Sequence, residues 1–151
     1  MDVFIRAARP DDLEALVRLL GILFSIEADF RPEAERQRSG LSLMLAEPER
    51  RVVFVAELAG EVVGMVTVQL LVSTAEGGLA ALVEDMVVDP AQRFRGVGRR
   101  LLGAAEAWAG ERGARRLQLL ADRENDGALR FYVREGWRFT QLFCLRRGGV
   151  C

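Results

Sequence analysis

The 151-residue sequence contains no histidine, and all 21 of its basic residues are arginine, so lysine is absent as well. The absence of histidine excludes Ser–His triads, histidine general bases and histidine metal ligands. The absence of lysine excludes lysine Schiff bases and the Walker A phosphate loop. Proton transfer is therefore left to the carboxylates, the two cysteines and the single tyrosine.

Cysteine is also scarce, and neither cysteine fits a metal site. Cys144 and Cys151 stand near the C-terminus without metal-type spacing and without forming a disulfide framework. We expect Cys144 to pack as a small apolar side chain and Cys151 to be a loose terminal thiol. With histidine missing too, no metal site is expected.

Long apolar runs and a strong net charge are missing too. The apolar runs have the length of strands, far below the roughly 20 residues of a membrane-spanning helix. The opening residues MDVFIRAARPDD lack the basic and apolar regions of a signal peptide. A formal net charge of −1 does not favour nucleic acid or an anionic membrane as a partner. We therefore expect one cytoplasmic domain over residues 1–151, with neither of those partners.

The apolar pattern predicts strands and helices in alternation. Leucines recur with a helical period between Leu13 and Leu23, after the helix starters Asp11 and Asp12. The β-branched runs 52–58 and 62–72 flank Ala59-Gly60-Glu61 and predict a hairpin. Further strands are predicted over 4–6, 79–88, 117–121, 138–140 and 142–146, and further helices from Pro32-Glu33 and over 98–112 and 126–135.

Strand, helix and strand follow one another over residues 79–121, which predicts a parallel strand pair joined by a crossover helix. The earlier strands predict an antiparallel meander. Together these elements predict an α/β fold in which a mixed, mostly antiparallel sheet of about seven strands is flanked by about four helices.

The most informative segment is Val83–Leu102, VEDMVVDPAQRFRGVGRRLL, in which a strand leads into a Gly- and Arg-rich turn and then a helix. Its R-x-x-G-x-G pattern is formed by Arg93, Gly96 and Gly98. Glycines allow the backbone to approach phosphate oxygens, and the helix N-terminus adds N–H donors and a positive potential. Arginine pairs with phosphate in bidentate fashion. The spacing differs from the dinucleotide fingerprint, and a simple tight turn is the alternative interpretation.

Two adjacent carboxylates, Glu84 and Asp85, end the apolar strand before this turn, where they could deprotonate a nucleophile. Adjacent residues of a regular strand point to opposite faces. Both carboxylates therefore belong to one site only if a bulge interrupts the strand. The alternative is that one of them faces solvent or holds a loop.

Short motifs are spread along nearly the whole chain. They are Ile5-Arg6-Ala7-Ala8, Val63-Gly64-Met65, the R-x-x-G-x-G turn, Asn125, Phe131-Tyr132 and Gly136-Trp137. In these motifs the chain resembles the GNAT superfamily of acyl-CoA-dependent N-acetyltransferases. One feature departs from many members, which read R-G-x-G-x-G: here Phe94 replaces the first glycine and must adopt the backbone geometry of that position.

The resemblance implies how acetyl-CoA binds. The cofactor is expected between the strand that ends at Val88 and the strand 117–121. Asn125 would contact the pantetheine region, although capping of the following helix is an alternative and compatible role. The backbone of Met86, Val87 and Val88 would bind the pantetheine arm, and the turn formed by Arg93, Phe94, Arg95, Gly96, Val97, Gly98 and Arg99 would hold the pyrophosphate.

The resemblance also implies catalytic roles. Glu84 would accept a proton from the substrate ammonium, directly or through water, while Asp85 would help to bind the cation. Tyr132 would protonate the departing thiolate, with a core aromatic as the alternative interpretation. No cysteine falls near the motif, which favours direct transfer of the acetyl group over a covalent enzyme intermediate.

The expected function is N-acetylation of a primary amine, the acceptor being a small amine or an amino-acid-like molecule. Three alternatives are a non-catalytic acyl-CoA-binding or sensing module, a peptide N-terminal acetyltransferase, and a partner-binding protein that acts on charged transfer RNA. The acidic charge balance disfavours the last of these. A homodimer is the family-level expectation.

Overall fold

A computed structural model describes residues 2–27 and 29–149, and within them the chain forms a five-stranded mixed sheet and four α-helices. Short 3₁₀ turns occupy Pro10–Asp12 and Pro90–Gln92. The chain divides into two compact units, residues 1–119 and residues 120–151. The elements are β1 (Val3–Ala7), α1 (Leu13–Ile26), α2 (Ala34–Ala46), β2 (Arg51–Leu58), β3 (Glu61–Ser73), β4 (Gly78–Val88), α3 (Val97–Glu111), β5 (Leu117–Leu119) and α4 (Asp126–Arg134).

The strands lie in the order β1-β2-β3-β4-β5, with antiparallel neighbours from β1 to β4 and a parallel β4–β5 pair. The predicted parallel pair across α3 is therefore confirmed. The predicted hairpin between β2 and β3 is confirmed as well. Its two central residues, Ala59 and Gly60, have φ values of 50° and 83°, which is the signature of a type I′ turn.

The helices α1 and α2 cover one face of the sheet. Leu16 and Leu19 of α1 are fully buried there, as the leucine period of the sequence predicts. Met65 of β3 and Val87 of β4 belong to the same buried cluster, so both strands contribute to this core. The cluster consists of Leu16, Leu19, Leu20, Leu41, Val53, Val55, Val62, Met65 and Val87.

The helix α3 covers the opposite face. Gly64, which precedes Met65 on β3 and therefore points the other way, faces Leu101 and Val97 of α3. A Cβ atom at Gly64 would stand 3.2 Å from Leu101 Cδ1, so the missing side chain lets α3 approach the sheet closely. The first turn of α3 is thereby fixed against the end of β4.

A half-buried ion pair joins the start of α1 to the sheet edge. The Arg6 guanidinium donates to both carboxylate oxygens of Asp12, at 2.8 and 3.0 Å, and to Glu57 Oε2 at 2.6 Å. The Arg6 guanidinium also lowers the pKa of Asp12 below its ordinary value. The bidentate contact with Asp12 ties β1 to the start of α1, and the contact with Glu57 ties β1 to β2.

Two strands predicted near the C-terminus are wrong. Residues 138–140 and 142–146 form no strand, and within the described ranges the last strand is β5, so the sheet has five strands and not about seven. The side chains of Phe139 and Phe143 in this segment are exposed. Its β-propensity comes from apolar and β-branched residues, and such a preference yields a strand only where a partner strand supplies the ladder.

Two further expectations concern the cysteines. Cys144 is exposed, so its expected packing as a small core side chain is wrong, because the segment that carries it lacks a strand partner. Cys151 lies outside the described residues. Among the helices of the described residues, none combines the length and the apolar character needed to cross a bilayer.

Candidate active site

A β-bulge interrupts β4 at the two predicted carboxylates. Thr67 of β3 pairs with Glu84, and Met65 pairs with Val87, so Asp85 and Met86 together lie opposite a single residue of β3. Asp85 has a φ of 49°, in the left-handed region that aspartate tolerates better than most residues. The extra residue is therefore accommodated at Asp85.

The bulge places both carboxylates on one face of the sheet. Glu84 shares the face of Thr67, because residues directly opposite in a ladder point the same way. The Asp85 carboxylate reaches the same side, since its Oδ2 lies 3.5 Å from the Thr67 hydroxyl oxygen. This is the face covered by α1 and α2. The sequence analysis requires a bulge if both acids are to share one face, and the structure has that bulge.

Burial and mutual repulsion disfavour the charged forms of these acids. Burial raises the pKa of Glu84 above its ordinary value. Burial, with the neighbouring Glu84 charge as a second cause, raises the pKa of Asp85 to about 6, although the Thr67 hydroxyl acts in the opposite direction. Acids with raised pKa values beside each other suit proton acceptance near neutral pH.

Thr67 is a site residue that sequence reasoning missed. Its β-branched side chain is ordinary for a strand, so its residue type alone gives no signal. The available signal is its context: the run Val62–Val68 is buried throughout, and Thr67 is the polar side chain within it. A buried hydroxyl requires a polar partner, and that partner is Asp85.

The part of β4 that follows the carboxylates is not paired with β5. Pairing with β5 ends at Val83 and Leu119, so Met86–Val88 have no partner in β5. Backbone N–H and C=O groups on an unpaired strand edge bind extended ligands by adding a strand. A pantetheine arm carries amides and an extended chain, so this edge fits the role that the sequence predicts for Met86, Val87 and Val88.

The loop after β4 has a backbone suited to anion binding. Asp89 Oδ1 accepts from the Ala91 N–H at 3.0 Å, and Arg93 Nε donates to the Val88 carbonyl at 3.2 Å, so the loop is tied to the strand end. Gly96 is the N-cap of α3 and has a φ of 80°, in the left-handed region that requires glycine. Glycine has no side chain that could cap the start of α3, and the N-terminus of a helix is favourable for an anion such as phosphate.

Five of the predicted phosphate-binding residues are exposed in this loop and the first turn of α3, namely Arg93, Phe94, Arg95, Gly96 and Arg99, whereas Val97 is buried. Phe94 has a φ of 65° and a fully exposed ring. The backbone therefore keeps the left-handed geometry that a glycine at this position would adopt without strain, and the aromatic side chain extends into solvent.

The unit 120–151 carries the other two predicted site residues on α4. Asn125 is the N-cap of this helix, and its Oδ1 accepts from the Ala128 N–H at 3.1 Å, so the capping role is confirmed. Asn125 is half-buried. The predicted contact of Asn125 with the pantetheine region stays a prediction.

Tyr132 lies in the last turns of α4 between two aromatic neighbours. Its ring centroid is 5.3 Å from that of Phe131 and 6.3 Å from that of Trp137. The helix ends in a Schellman motif: Trp137 N–H donates to the Tyr132 carbonyl and Gly136, with a φ of 94°, donates to Val133. These contacts fix the ring of a half-buried phenol.

A metal centre has no counterpart in the described part of the chain. There, no group of three or more histidine, cysteine, aspartate or glutamate side chains is arranged to hold a metal ion.

Comparisons with known proteins show the family of the chain. A sequence profile of the Acetyltransferase (GNAT) family matches residues 15–137. The chain is 33% identical over 117 residues to an aminoglycoside N(6')-acetyltransferase type 1 of Stenotrophomonas maltophilia, covering 75% of this chain and 71% of that protein. It is 28% identical over 134 residues to an aminoalkylphosphonate N-acetyltransferase of Salmonella typhimurium, covering 89% and 84%.

Solved structures show the same fold. An aminoglycoside N-acetyltransferase in complex with CoA superposes with a TM-score of 0.84 at 20% identity, covering 99% of this chain and 96% of that one. The fold and the family match together define an acyltransferase that depends on acetyl-CoA. The chain belongs to the GNAT acetyltransferase family, as the resemblance in its motifs predicts.

Proposed function

We propose that this protein transfers the acetyl group of acetyl-CoA directly to a primary amine, and that the acceptor is a small amine or an amino-acid-like molecule. The observation that carries the proposal is the bulge in β4, which sets Glu84 and Asp85 on one face just before the Gly-rich loop. Two acids on one half-buried face attract a cation and accept its proton. The names of two relatives, an aminoglycoside and an aminoalkylphosphonate acetyltransferase, support an amine acceptor.

Acetyl-CoA supplies the thioester carbonyl that the amine attacks. In our proposal Met86, Val87 and Val88 bind the pantetheine arm through the part of β4 that is not paired with β5, and Asn125 contacts the pantetheine region. The pyrophosphate lies on the loop backbone from Phe94 to Gly98, assisted by Arg93, Arg95 and Arg99. Both features that favour this assignment, the part of β4 not paired with β5 and the left-handed Gly96, lie in the unit 1–119.

The proposed proton transfers involve three side chains. Asp85 helps to bind the substrate ammonium and Glu84 takes its proton, directly or through water, so that the neutral nitrogen attacks. A backbone N–H near Val87 stabilises the negative charge on the carbonyl oxygen. Tyr132 gives its phenolic proton to the thiolate of CoA as the carbon–sulfur bond breaks, the second proton lost by the attacking nitrogen restores the Tyr132 phenol, and Glu84 releases its proton to solvent. The amide product and free CoA then leave, and no covalent enzyme intermediate is required.

The proposal treats residues 1–151 as one acetyltransferase domain in the cytoplasm, working on a small molecule and forming a homodimer. Light scattering during gel filtration tests the dimer, because the mass of one chain is 16.8 kDa and a dimer doubles it.

Thiol release from acetyl-CoA across a panel of amines, with thermal shift by CoA alone, tests the whole assignment. The panel contains simple diamines, amino acids, aminoalkylphosphonates, aminoglycosides and a peptide with a free N-terminus. Release with one class of small amine supports the proposal, whereas release with the peptide alone supports the N-terminal acetyltransferase. A thermal shift without release by any amine supports a sensing module, and no shift at all contradicts the cofactor assignment.

A further inference from the structure

Thr67 is almost completely enclosed, with 2% of its surface exposed, and it lies on β3 directly beside the bulge of β4. It lies opposite Glu84 in the ladder, and its hydroxyl is 3.5 Å from Asp85 Oδ2, at the long end of hydrogen-bond distance. Hydrogen bonds of catalytic groups are often long without substrate and shorten in the complex. One buried hydroxyl therefore touches one of the two acids and shares a ladder position with the other.

We propose that Thr67 is a positioning residue, whose hydroxyl holds the Asp85 carboxylate on the face of Glu84 so that the two acids accept one proton between them. The proposal rests on the proposed amine acetylation. When the pair acts, an N–H bond of the ammonium breaks and an O–H bond forms on the carboxyl pair. The Thr67 hydroxyl keeps its own proton and donates it as a hydrogen bond to Asp85.

The left-handed backbone of Asp85 explains why a positioning group is needed. A residue with a φ of 49° in a bulge is removed from the regular strand pattern, so pairing with β3 does not by itself fix its side chain. The Thr67 side chain has one strongly restricted χ1 torsion because it is β-branched and buried. The Thr67 hydroxyl on β3 therefore orients the Asp85 side chain, which has no partner in register because of the bulge.

Among the charged groups near Asp85, Glu84 is the one whose charge raises the Asp85 pKa. The Asp85 pKa responds to burial, to the Glu84 charge and to the Thr67 hydroxyl. On the same face, Arg18 of α1 pairs with Asp89, and Glu14 of α1 pairs with Arg38. Other ionisable groups on elements against β4 are Glu61 of β3 and, on α3 at the opposite face, Arg99, Arg100, Glu106 and Glu111.

The proposal predicts how the pH dependence of the rate changes when the Thr67 hydroxyl is removed. The hydroxyl stabilises the ionised carboxylate, so its removal raises the pKa of Asp85 further. Because the pair must be ionised to accept a proton, the rate falls with decreasing pH, and this fall then begins at a higher pH. Interacting acids titrate as a pair, so the shift belongs to the pair as a whole.

The experiment compares kcat against pH for the wild type, Thr67→Val, Thr67→Ser and Asp85→Asn. Valine replaces the hydroxyl by a methyl group of similar shape, and serine keeps the hydroxyl. We expect the deficit of Thr67→Val to grow as the pH falls through the Asp85 pKa of about 6, and Thr67→Ser to restore the wild-type profile. In an Asp85→Asn background, Thr67→Val should produce no further pH-dependent change.

Carbon-13 NMR titration of the Asp85 carboxyl, assigned with Asp85→Asn, gives a readout that needs no substrate. A midpoint that moves to higher pH in Thr67→Val and returns in Thr67→Ser supports the proposal. An unchanged midpoint, or a loss of kcat equal at every pH, overturns it and makes Thr67 a packing residue. If no amine is acetylated while the midpoint still moves, the acetylation proposal fails and the positioning of Asp85 by Thr67 stands.

Discussion

Gly64 of β3 lies so close to α3 that a Cβ atom there would stand 3.2 Å from Leu101 Cδ1 and 3.3 Å from the Val87 carbonyl oxygen. The same position thus contacts α3, which follows the proposed phosphate-binding loop, and the strand that carries the carboxylates. Gly64 therefore sets the spacing between two parts of the candidate site without contributing a side chain to it.

Gly64→Ala is expected to destabilise the fold by about 1–3 kcal/mol, because an extra methyl group must displace α3 from the sheet. It should also weaken CoA binding, since the first turn of α3 moves with the helix. Thermal unfolding and calorimetric titration with CoA measure the two effects. Gly103→Ala, at an open position on α3, is the matched control and should stabilise by about 0.5–1 kcal/mol. Equal stability of the two variants would contradict the argument.

Phe94→Gly is expected to stabilise the protein. A non-glycine residue in the left-handed region destabilises the folded state by about 1–2 kcal/mol, and glycine removes this strain. The greater conformational freedom of glycine in the unfolded chain opposes the gain by about 0.4–1 kcal/mol. The ring is fully exposed, so no packing is lost with it. The melting temperature should rise by about 1–3 °C. Arg95→Gly is the control, because Arg95 is exposed and has no positive φ, and it should lower the melting temperature.

Glu84→Gln is expected to lower turnover by about 10²–10⁴-fold, the range of a lost general base. The deficit should be largest below neutral pH, where the acceptor is an ammonium that needs deprotonation, and should narrow toward high pH. In the wild type, burial raises the pKa of Glu84, so its activity falls as the pH drops through that raised pKa. The pH–rate profile measures both effects.

The matched control for this prediction is Glu76→Gln. The Glu76 carboxylate pairs with Arg116 at 3.2 Å and lies in the turn between β3 and β4. The Glu76→Gln substitution should therefore leave the pH–rate profile unchanged. A Glu84→Gln profile with the wild-type shape would remove Glu84 as the base and leave Asp85 to take that role.

Tyr132→Phe is expected to reduce turnover by about 10²-fold or more and to leave CoA affinity nearly intact. Phenylalanine keeps the ring beside Phe131 and Trp137, so the helix end should be undisturbed. Single-turnover rates and calorimetric titration with CoA separate the two effects. Turnover at the wild-type rate would show that another group protonates the thiolate.

The sequence predicted those elements whose signals are local. The leucine period of α1, the hairpin around Ala59-Gly60-Glu61 and the helix over 126–135 each follow from a few neighbouring residues, and each element is found. The strands predicted over 138–140 and 142–146 depended on β-propensity, which requires a partner that the pattern cannot supply. Glu84 and Asp85 were identified as candidates, but their common face depends on a bulge that no residue type announces. Thr67 was missed because its role arises from the opposite strand.

The bulge also reverses which face of the sheet the following residues of β4 point to. Val83 pairs with Val68 and shares the α3 face, whereas Val87 pairs with Met65 and enters the cluster beneath α1 and α2. In a regular strand these two valines, four residues apart, would point to the same side. The extra residue thus lets one strand contribute to both cores in turn. A chain lacking Asp85 would lose more than a carboxylate: it would turn Val87 away from its core, so the length of this strand is fixed by the two cores as firmly as by the acids.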